Sequence, residues 1–564
     1  MALSKLGASL IGMKCLFILL VFLCSNALLA SEPDWSEGFK VPAGGRANPY
    51  NLSPTDFAAS RERGRLAATT YPVDVTAVLL PYTPIFNFLE KRNPNPLFDI
   101  LQNLFKAITE IKNFNSLLSW IGLHDYPKTS DSGIYAVPYP ENIRPDYLMG
   151  LGLVERHGVK AFTIGCAACH SSQLFGKNIL GLTNRFPRAN RLFFKAKQAM
   201  AFADVRVFQA STGATDAETL LMAETLKNFR ATDGTLPQQL GLDTSLAQVA
   251  LSLSHREEGP WAEKNSIFED HPRPNILEHQ IADSKPATWW NLKFKNRWLS
   301  DGSIVSGNPI FTNILWNEIG RGIDLRILDS WFNSNSLLIQ DLVTAVFSIE
   351  APAITDFFDI SKIDISSAKR GEVLFNKNCK DCHGQYIKAW NTNSNLPNID
   401  AIKTIQVLYH ARTPVAEVGT DSHRYLGMKP LEKLNELQIS VRNNTFIRTQ
   451  TGYVPPPLVG IWARWPYLHN SSVPSLCALL TPGPKRPKIY YAREAVNPNL
   501  DFDFNCNGYP EGQALTATDL LYQFDTSREG MSNLGHDQNI LIENGVEKFS
   551  LKEKQDLIQF LQTL

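Results

Sequence analysis

One pentapeptide pattern constrains this chain more than any other feature, and it occurs twice: Cys166-Ala167-Ala168-Cys169-His170 and Cys379-Lys380-Asp381-Cys382-His383. C-x-x-C-H is the attachment signature of covalent c-type haem. Two thiols three positions apart reach the two vinyl groups of one porphyrin, and the adjacent imidazole reaches the iron from one face. A redox dithiol or half of a zinc site also uses C-x-x-C, but the following His, present in both copies, weakens those readings. Two covalent haems are therefore expected, held by Cys166, Cys169 and His170 and by Cys379, Cys382 and His383.

At 564 residues the chain exceeds a single haem domain. The expected fold is mainly α, with two cytochrome c-like haem domains that carry large helical and loop insertions. Lys plus Arg and Asp plus Glu both number 55. No global field points to nucleic acid or to an acidic membrane surface.

Residues 1–30 place Lys5 and Lys14 before an apolar run from Cys15 to Leu23 and end in Ala27-Leu28-Leu29-Ala30. This reads as a secretory signal peptide cleaved after Ala30. The run is short for a bilayer span of about 20 residues, so no membrane span is expected after cleavage. A periplasmic or secreted location follows. The mature chain keeps six cysteines, four of them in the haem motifs. Cys477 and Cys506 remain, either as a disulfide suited to an oxidising compartment or as two separate thiols.

The expected organisation is a signal peptide at 1–30, an N-terminal haem domain with leader and insertions at 31–360, and a C-terminal class I cytochrome c-like domain at 361–564. Residues 31 to about 70, rich in Pro, Gly and Asn, read as an irregular leader. From Leu97 onward, Leu97, Ile100, Leu101, Leu104, Ile108 and Ile111 have helical spacing and read as core. Residues 190–255 read as helical scaffold. In the second unit Ser366 reads as the cap of a helix through Gly371 into Cys379. Ser550-Leu551-Lys552-Glu553 has the form of a capping box for a terminal helix with Leu557, Ile558, Leu561 and Leu564 on one face. The flanks of the two haem motifs differ enough to read as only a weak repeat.

What lies opposite His170 and His383 decides between electron transfer and ligand activation. For the second haem, His536 in Asn533-Leu534-Gly535-His536 is the expected sixth ligand, with Met428 and Met531 as rivals. For the first, Met200 and Met222 sit in helical stretches where Met is ordinarily core. An open or water-occupied first iron is expected.

Gly165-Cys166-Ala167-Ala168-Cys169-His170-Ser171-Ser172-Gln173-Leu174, Trp289-Trp290-Asn291-Leu292-Lys293, and Pro456 to Ala463 with Pro466 to Leu476 together resemble the di-haem cytochrome c peroxidase superfamily. Within it they look most like the branch of RoxA-type rubber oxygenases. The resemblance supports His536 as an axial ligand and implies that one of Trp289 and Trp290, here Trp290, lies between the haems. It also suggests a role for His469 near the inter-haem space, and for Arg464 and Arg321 at haem propionates. Phe294 or Phe311 would supply an aromatic cover for the first haem. The stretch after His469 offers neither the Met of ordinary bacterial peroxidases nor the Tyr of partner-modifying relatives; Leu479, Leu480, Thr481 and Pro482 stand there.

The implied function is a haem- and iron-binding oxidoreductase that activates oxygen at the first haem and cleaves an apolar, isoprenoid-like substrate. Two alternatives stand beside it. One is a hydrogen peroxide-reducing enzyme fed by a small electron-donor protein, and the other is a non-enzymatic electron carrier.

Overall fold

The computed structural model describes residues 32–109, 111–200, 204–273, 280–393, 396–512, 516 and 520–564. The expected signal peptide lies outside them. Eight helices matter for the site: α1 (Pro54–Thr69), α2 (Pro96–Thr109), α3 (Ser245–Leu253), α4 (Pro309–Arg321), α5 (Ser336–Ser348), α6 (Ile365–Asn378), the short α7 (Leu476–Leu479) and α8 (Leu551–Gln562).

Two helix crossings hold the chain together, and they are built alike. In the second, α6 crosses α8 where Gly371 lets the backbones touch; a Cβ there would lie 1.9 Å from the Asp556 carbonyl oxygen. The Asp556 carboxylate then accepts hydrogen bonds from Ser367, Arg370 and Lys552. Burial pushes this carboxyl up, but those bonds outweigh it and hold it well below the usual range. In the first crossing, α1 meets α5 at Gly64, whose Cβ would lie 1.8 Å from the Asp341 carbonyl oxygen. Asp341 accepts from Ser60 and Arg63. Ser-x-x-Arg-Gly against Asp is thus present twice.

The first crossing corrects the sequence reading, since residues 54–69 are helix and not irregular leader. Ser53 caps it, with Pro54 in the first turn. Its contact face is Ser60, Gly64, Ala67 and Ala68, so close approach of small residues replaces a large apolar stripe. In α6 the cap is Asp364, which accepts from the Ser367 N–H, and not Ser366. The Ser550–Glu553 capping box is present, and Leu557, Ile558, Leu561 and Leu564 are buried. Gly371→Ala should cost about 1–3 kcal/mol or more, because α8 must move aside. Thermal unfolding of the holoprotein checks this, and an unchanged midpoint would contradict the crossing.

Helix and strand make up 42% and 12% of the described residues, so the architecture is mixed helical with small sheets, less purely α than expected. The sheets position the haem motifs. Strands β1 (Leu151–Arg156) and β2 (Val159–Ile164) form an antiparallel hairpin that leads into Cys166. Gly165 N–H donates to Gly150 O and Gly150 N–H donates to Thr69 O, so the motif returns to the end of α1. Strands β3 (Ser171–Leu174) and β4 (Lys177–Leu180) carry the chain away from it. In the second unit β5 (Gln385–Lys388) pairs with β6 (Ile405–Leu408) directly after His383.

Helix α2 inverts the expected pattern. Leu97, Ile100, Leu101 and Leu104 are 49–65% exposed, while Asp99 and Gln102 are buried. The Gln102 side chain donates to Phe88 O and Lys91 O and accepts from Asn93 N–H, which turns the polar face inward. Among the described residues no helix is long and apolar enough to cross a membrane.

Candidate haem site

Both C-x-x-C-H motifs line one cavity of about 460 Å³, within the usual range for cofactor and ligand sites. Leu246, Val249, Leu342, Val346, Leu458, Leu557 and Leu561 supply much of its apolar wall. The four motif cysteines form no disulfide. Burial pushes the Cys166 thiol up to about 11 and Cys379 to about 12, and raises Cys169 and Cys382. Cys477 and Cys506 are joined in a disulfide.

The two motif histidines are held the same way. His170 Nδ1 is 2.9 Å from Ala287 O, and His383 Nδ1 is 2.9 Å from Pro456 O. A carbonyl only accepts, so Nδ1 carries the proton in each ring and the Nε2 lone pair stays free for a metal. Burial lowers both pKa values, which keeps the rings neutral and able to ligate.

The loops that supply those carbonyls are themselves a repeat. Lys295 and Arg464 each stand eight residues after the accepting carbonyl. Trp298-Leu299-Ser300-Asp301-Gly302-Ser303-Ile304 then runs parallel to Tyr467-Leu468-His469-Asn470-Ser471-Ser472-Val473. The backbones match: Leu299 and Leu468 have φ of 71° and 63°, and Gly302 and Ser471 have 71° and 61°. Trp298 N–H donates to Ile304 O at 3.0 Å, and Tyr467 N–H to Val473 O at 2.6 Å. Together with the two helix crossings, this makes the repeat strong in structure where the flanking sequence makes it look weak.

His536 stands opposite His383. Their ring centroids are 6.3 Å apart, a spacing that admits one metal ion between two imidazole nitrogens at about 2 Å each. Burial first, and His383 second, lower the His536 pKa to about 3. Met428 and Met531 are fully buried and do not line the cavity.

The first unit is built differently. After the repeated loop the first unit continues into α4, where the second has α7. Ile310, Asn313, Ile314 and Asn317 on one face of α4, with Leu246 and Val249 of α3, line the same cavity. Among the described residues lining the cavity, the histidines are His170, His383, His469 and His536, and no methionine is present. Met222 is buried in another helix, and the Met200 side chain lies outside the described residues.

The remaining expected residues separate clearly. Trp289 lines the cavity with its ring 5.4 Å from that of His170. Trp290 does not line it; it is buried, and its Nε1 donates to Val459 O at 2.9 Å. His469 lines the cavity, stacks on Tyr453 at 3.9 Å, and keeps a buried Nε2 without a partner. Burial drives its pKa well below the ordinary value. Phe294 and Phe311 do not line the cavity; Phe311 packs on Phe332. Arg321 is committed to buried Glu318, which also accepts from Tyr71 and Thr76.

Lys295, which is buried, and Arg464, half-buried with its Nε enclosed, line the cavity with no acidic partner at ion-pair distance among the described residues. Burial lowers Lys295 to about 7 and Arg464 to about 10. Buried charges are ordinarily paired. A cavity with two motif histidines, four free thiols and uncompensated cations fits a group that is apolar in its body, anionic at its edge and centred on a metal. Haem meets each requirement.

Residues 452–491 match the family model described as RoxA-like, cytochrome c-like. That segment contains Pro456, Arg464, His469 and the second of the repeated loops. The match identifies a cytochrome c-like segment, which suggests covalent haem as the cofactor. Among curated proteins it is similar to the uncharacterized protein y4iM of Sinorhizobium fredii (strain NBRC 101917 / NGR234). The two are 28% identical over 318 residues, 53% of this chain and 68% of the relative. It is also similar to the uncharacterized protein y4iJ of the same strain, 39% identical over 123 residues, 21% of this chain and 19% of the relative.

Proposed function

We propose that this protein is an exported di-haem c-type cytochrome and an oxidoreductase that activates oxygen at the His170 haem for cleavage of an apolar, isoprenoid-like substrate. The observation that carries this reading is the asymmetry of the two sites. His536 caps the position opposite His383, whereas the ring beside His170 among the described residues is that of Trp289, and aliphatic and amide side chains of α3 and α4 line the shared cavity. A haem iron with one open face binds oxygen or peroxide, and one with two protein ligands transfers electrons.

Each part of the chain has a task in this scheme. Cys166 and Cys169 would anchor the first haem, and His170, fixed by Ala287 O, would offer Nε2 to its iron. Leu246, Val249, Ile310 and Ile314 exclude water and receive an apolar substrate. Cys379, Cys382, His383 and His536 would hold the second. Trp290 bonds to Val459 O in the loop whose Pro456 O orients His383, while its neighbour Trp289 lies against His170. The pair thereby joins the proximal sides of the two sites and is the proposed electron path. His469 and Arg464 face the inter-haem space.

Peroxide reduction is the second reading. It calls for a proton donor beside the open face. Asp243, the acidic residue among those lining the cavity, accepts from the Ser245 N–H and hydroxyl.

Low-temperature EPR and carbon monoxide titration of the holoprotein test the proposal. One high-spin iron that binds one carbon monoxide per chain is expected, together with oxygen uptake on an isoprenoid. Two unreactive low-spin irons would favour the electron carrier, and peroxide-dependent oxidation of a reduced donor would favour the peroxidase.

A further inference from the structure

His536 sits in a backbone conformation that its own sequence does not favour. Its φ is +56°, and the preceding Gly535 has φ +81°. Non-glycine residues persist in this region only where their surroundings over-determine them. Here the Gly535 α-carbon packs so tightly that a Cβ would lie 2.2 Å from the Gly419 carbonyl carbon. The His536 N–H donates to Val418 O at 2.7 Å, and Asp537 accepts from the Gly483 N–H at 2.8 Å.

The strongest restraint is Arg486. It is buried, has no acidic partner at ion-pair distance among the described residues, and bonds only to backbone carbonyls. Nη1 donates to Asn533 O and to Gly535 O, the latter at 2.8 Å and adjacent to His536. Nε donates to Ala478 O at 3.1 Å and Thr481 O at 2.9 Å, and Nη2 to Leu479 O at 3.3 Å. One rigid fork thus ties the His536 loop to α7 and the turn after it. Cys477 anchors that segment to Cys506, and Leu476, Leu479 and Leu480 line the cavity. Burying a guanidinium without a carboxylate is costly, and general stability alone does not call for a cation here. Five carbonyls that converge from two segments do call for a planar, multiply donating group.

We infer that Arg486 is the positioning residue for the sixth ligand: it fixes the His536 loop against α7 so that the imidazole stays opposite His383. This rests on the reading of His383 and His536 as the two ligands of one haem. Loosening the fork releases His536 and opens a second iron.

The test compares wild type, Arg486→Gln, Arg486→Lys and His536→Ala as holoproteins, by EPR, carbon monoxide titration and reduction potential, with covalent haem content as control. Arg486→Gln should lose most of the low-spin signal and bind two carbon monoxide molecules per chain where wild type binds one, with two haems still attached. Arg486→Lys, with the charge but without the fork, should be intermediate. A wild-type signal and potential in Arg486→Gln, while His536→Ala turns high-spin, would overturn the inference and leave the ligand reading standing. An unchanged His536→Ala would instead remove the ligand reading itself. Should Arg486→Gln yield no folded holoprotein, Arg486→Lys decides: partial opening supports positioning, and a fully wild-type signature overturns it.

Discussion

Replacing Cys166 and Cys169 by Ala is expected to lower covalent haem from two to one per chain and to abolish carbon monoxide and oxygen reactivity. Replacing Cys379 and Cys382 should also remove one haem but leave a reactive iron at His170. The contrast follows from the different environments of two otherwise similar motifs. In the proposed reading each pair would supply the thioether anchors, and each following His is oriented by a loop carbonyl, Ala287 O or Pro456 O. Only the His383 side has an imidazole placed across from it among the described residues. Pyridine haemochrome absorbance and intact mass give the stoichiometry, and carbon monoxide difference spectra identify the reactive site. Equal loss of reactivity in both double variants would mean that the two irons work only as a pair. Full retention in Cys166→Ala/Cys169→Ala would move the open face to the second iron.

How much of this site the sequence reveals depends on chain distance. In the second unit Gly371, Cys379 and His383 lie within one short stretch, and the capping box at Ser550 and the apolar face of α8 are local signals. In the first unit Gly64 and Cys166 are separated by the β1–β2 hairpin and the helices before it. Helix α1 buries small residues in place of a hydrophobic stripe, so periodicity gives no warning of it. The repeated loops share chemical type more than identity: Lys for Arg, Trp for Tyr, Asp for Asn, Ile for Val. Their equivalence rests on left-handed residues at matching positions, Leu299 with Leu468 and Gly302 with Ser471, which no local sequence rule announces for Leu or Ser. Helix α2 shows the opposite limit. Its spacing correctly marks an amphipathic helix, but spacing does not say which face turns inward, and here Gln102 and Asp99 decide it through hydrogen bonds to the α2 approach segment. Arg486 carried no sequence signal, because its partners are backbone carbonyls and any residue supplies those.

Arg464→Ala is expected to destabilise the holoprotein by about 3–5 kcal/mol, the usual cost of leaving one member of a buried ion pair alone. The cation lines the cavity, is half-buried with its Nε enclosed, and has no carboxylate at ion-pair distance among the described residues. Lys295 holds the corresponding place in the first loop under the same conditions. Without haem these two basic groups would have no counter-charge at ion-pair distance among the described residues; in the proposed reading the haem propionates would supply it from within the site. Arg321 is a built-in comparison. It lies near Cys166 but is already paired with Glu318, so its removal exposes a protein carboxylate and leaves the haem edge unchanged. Arg464→Ala should therefore shift the reduction potential of the second haem as well as the unfolding midpoint, and Arg464→Lys should recover much of both. In Arg321→Ala the midpoint should fall while both potentials stay near wild type. Equal potential shifts in the two variants would show that the cations act through general packing. A stable Arg464→Ala with unchanged potentials would show that the anionic edge of the haem is neutralised elsewhere.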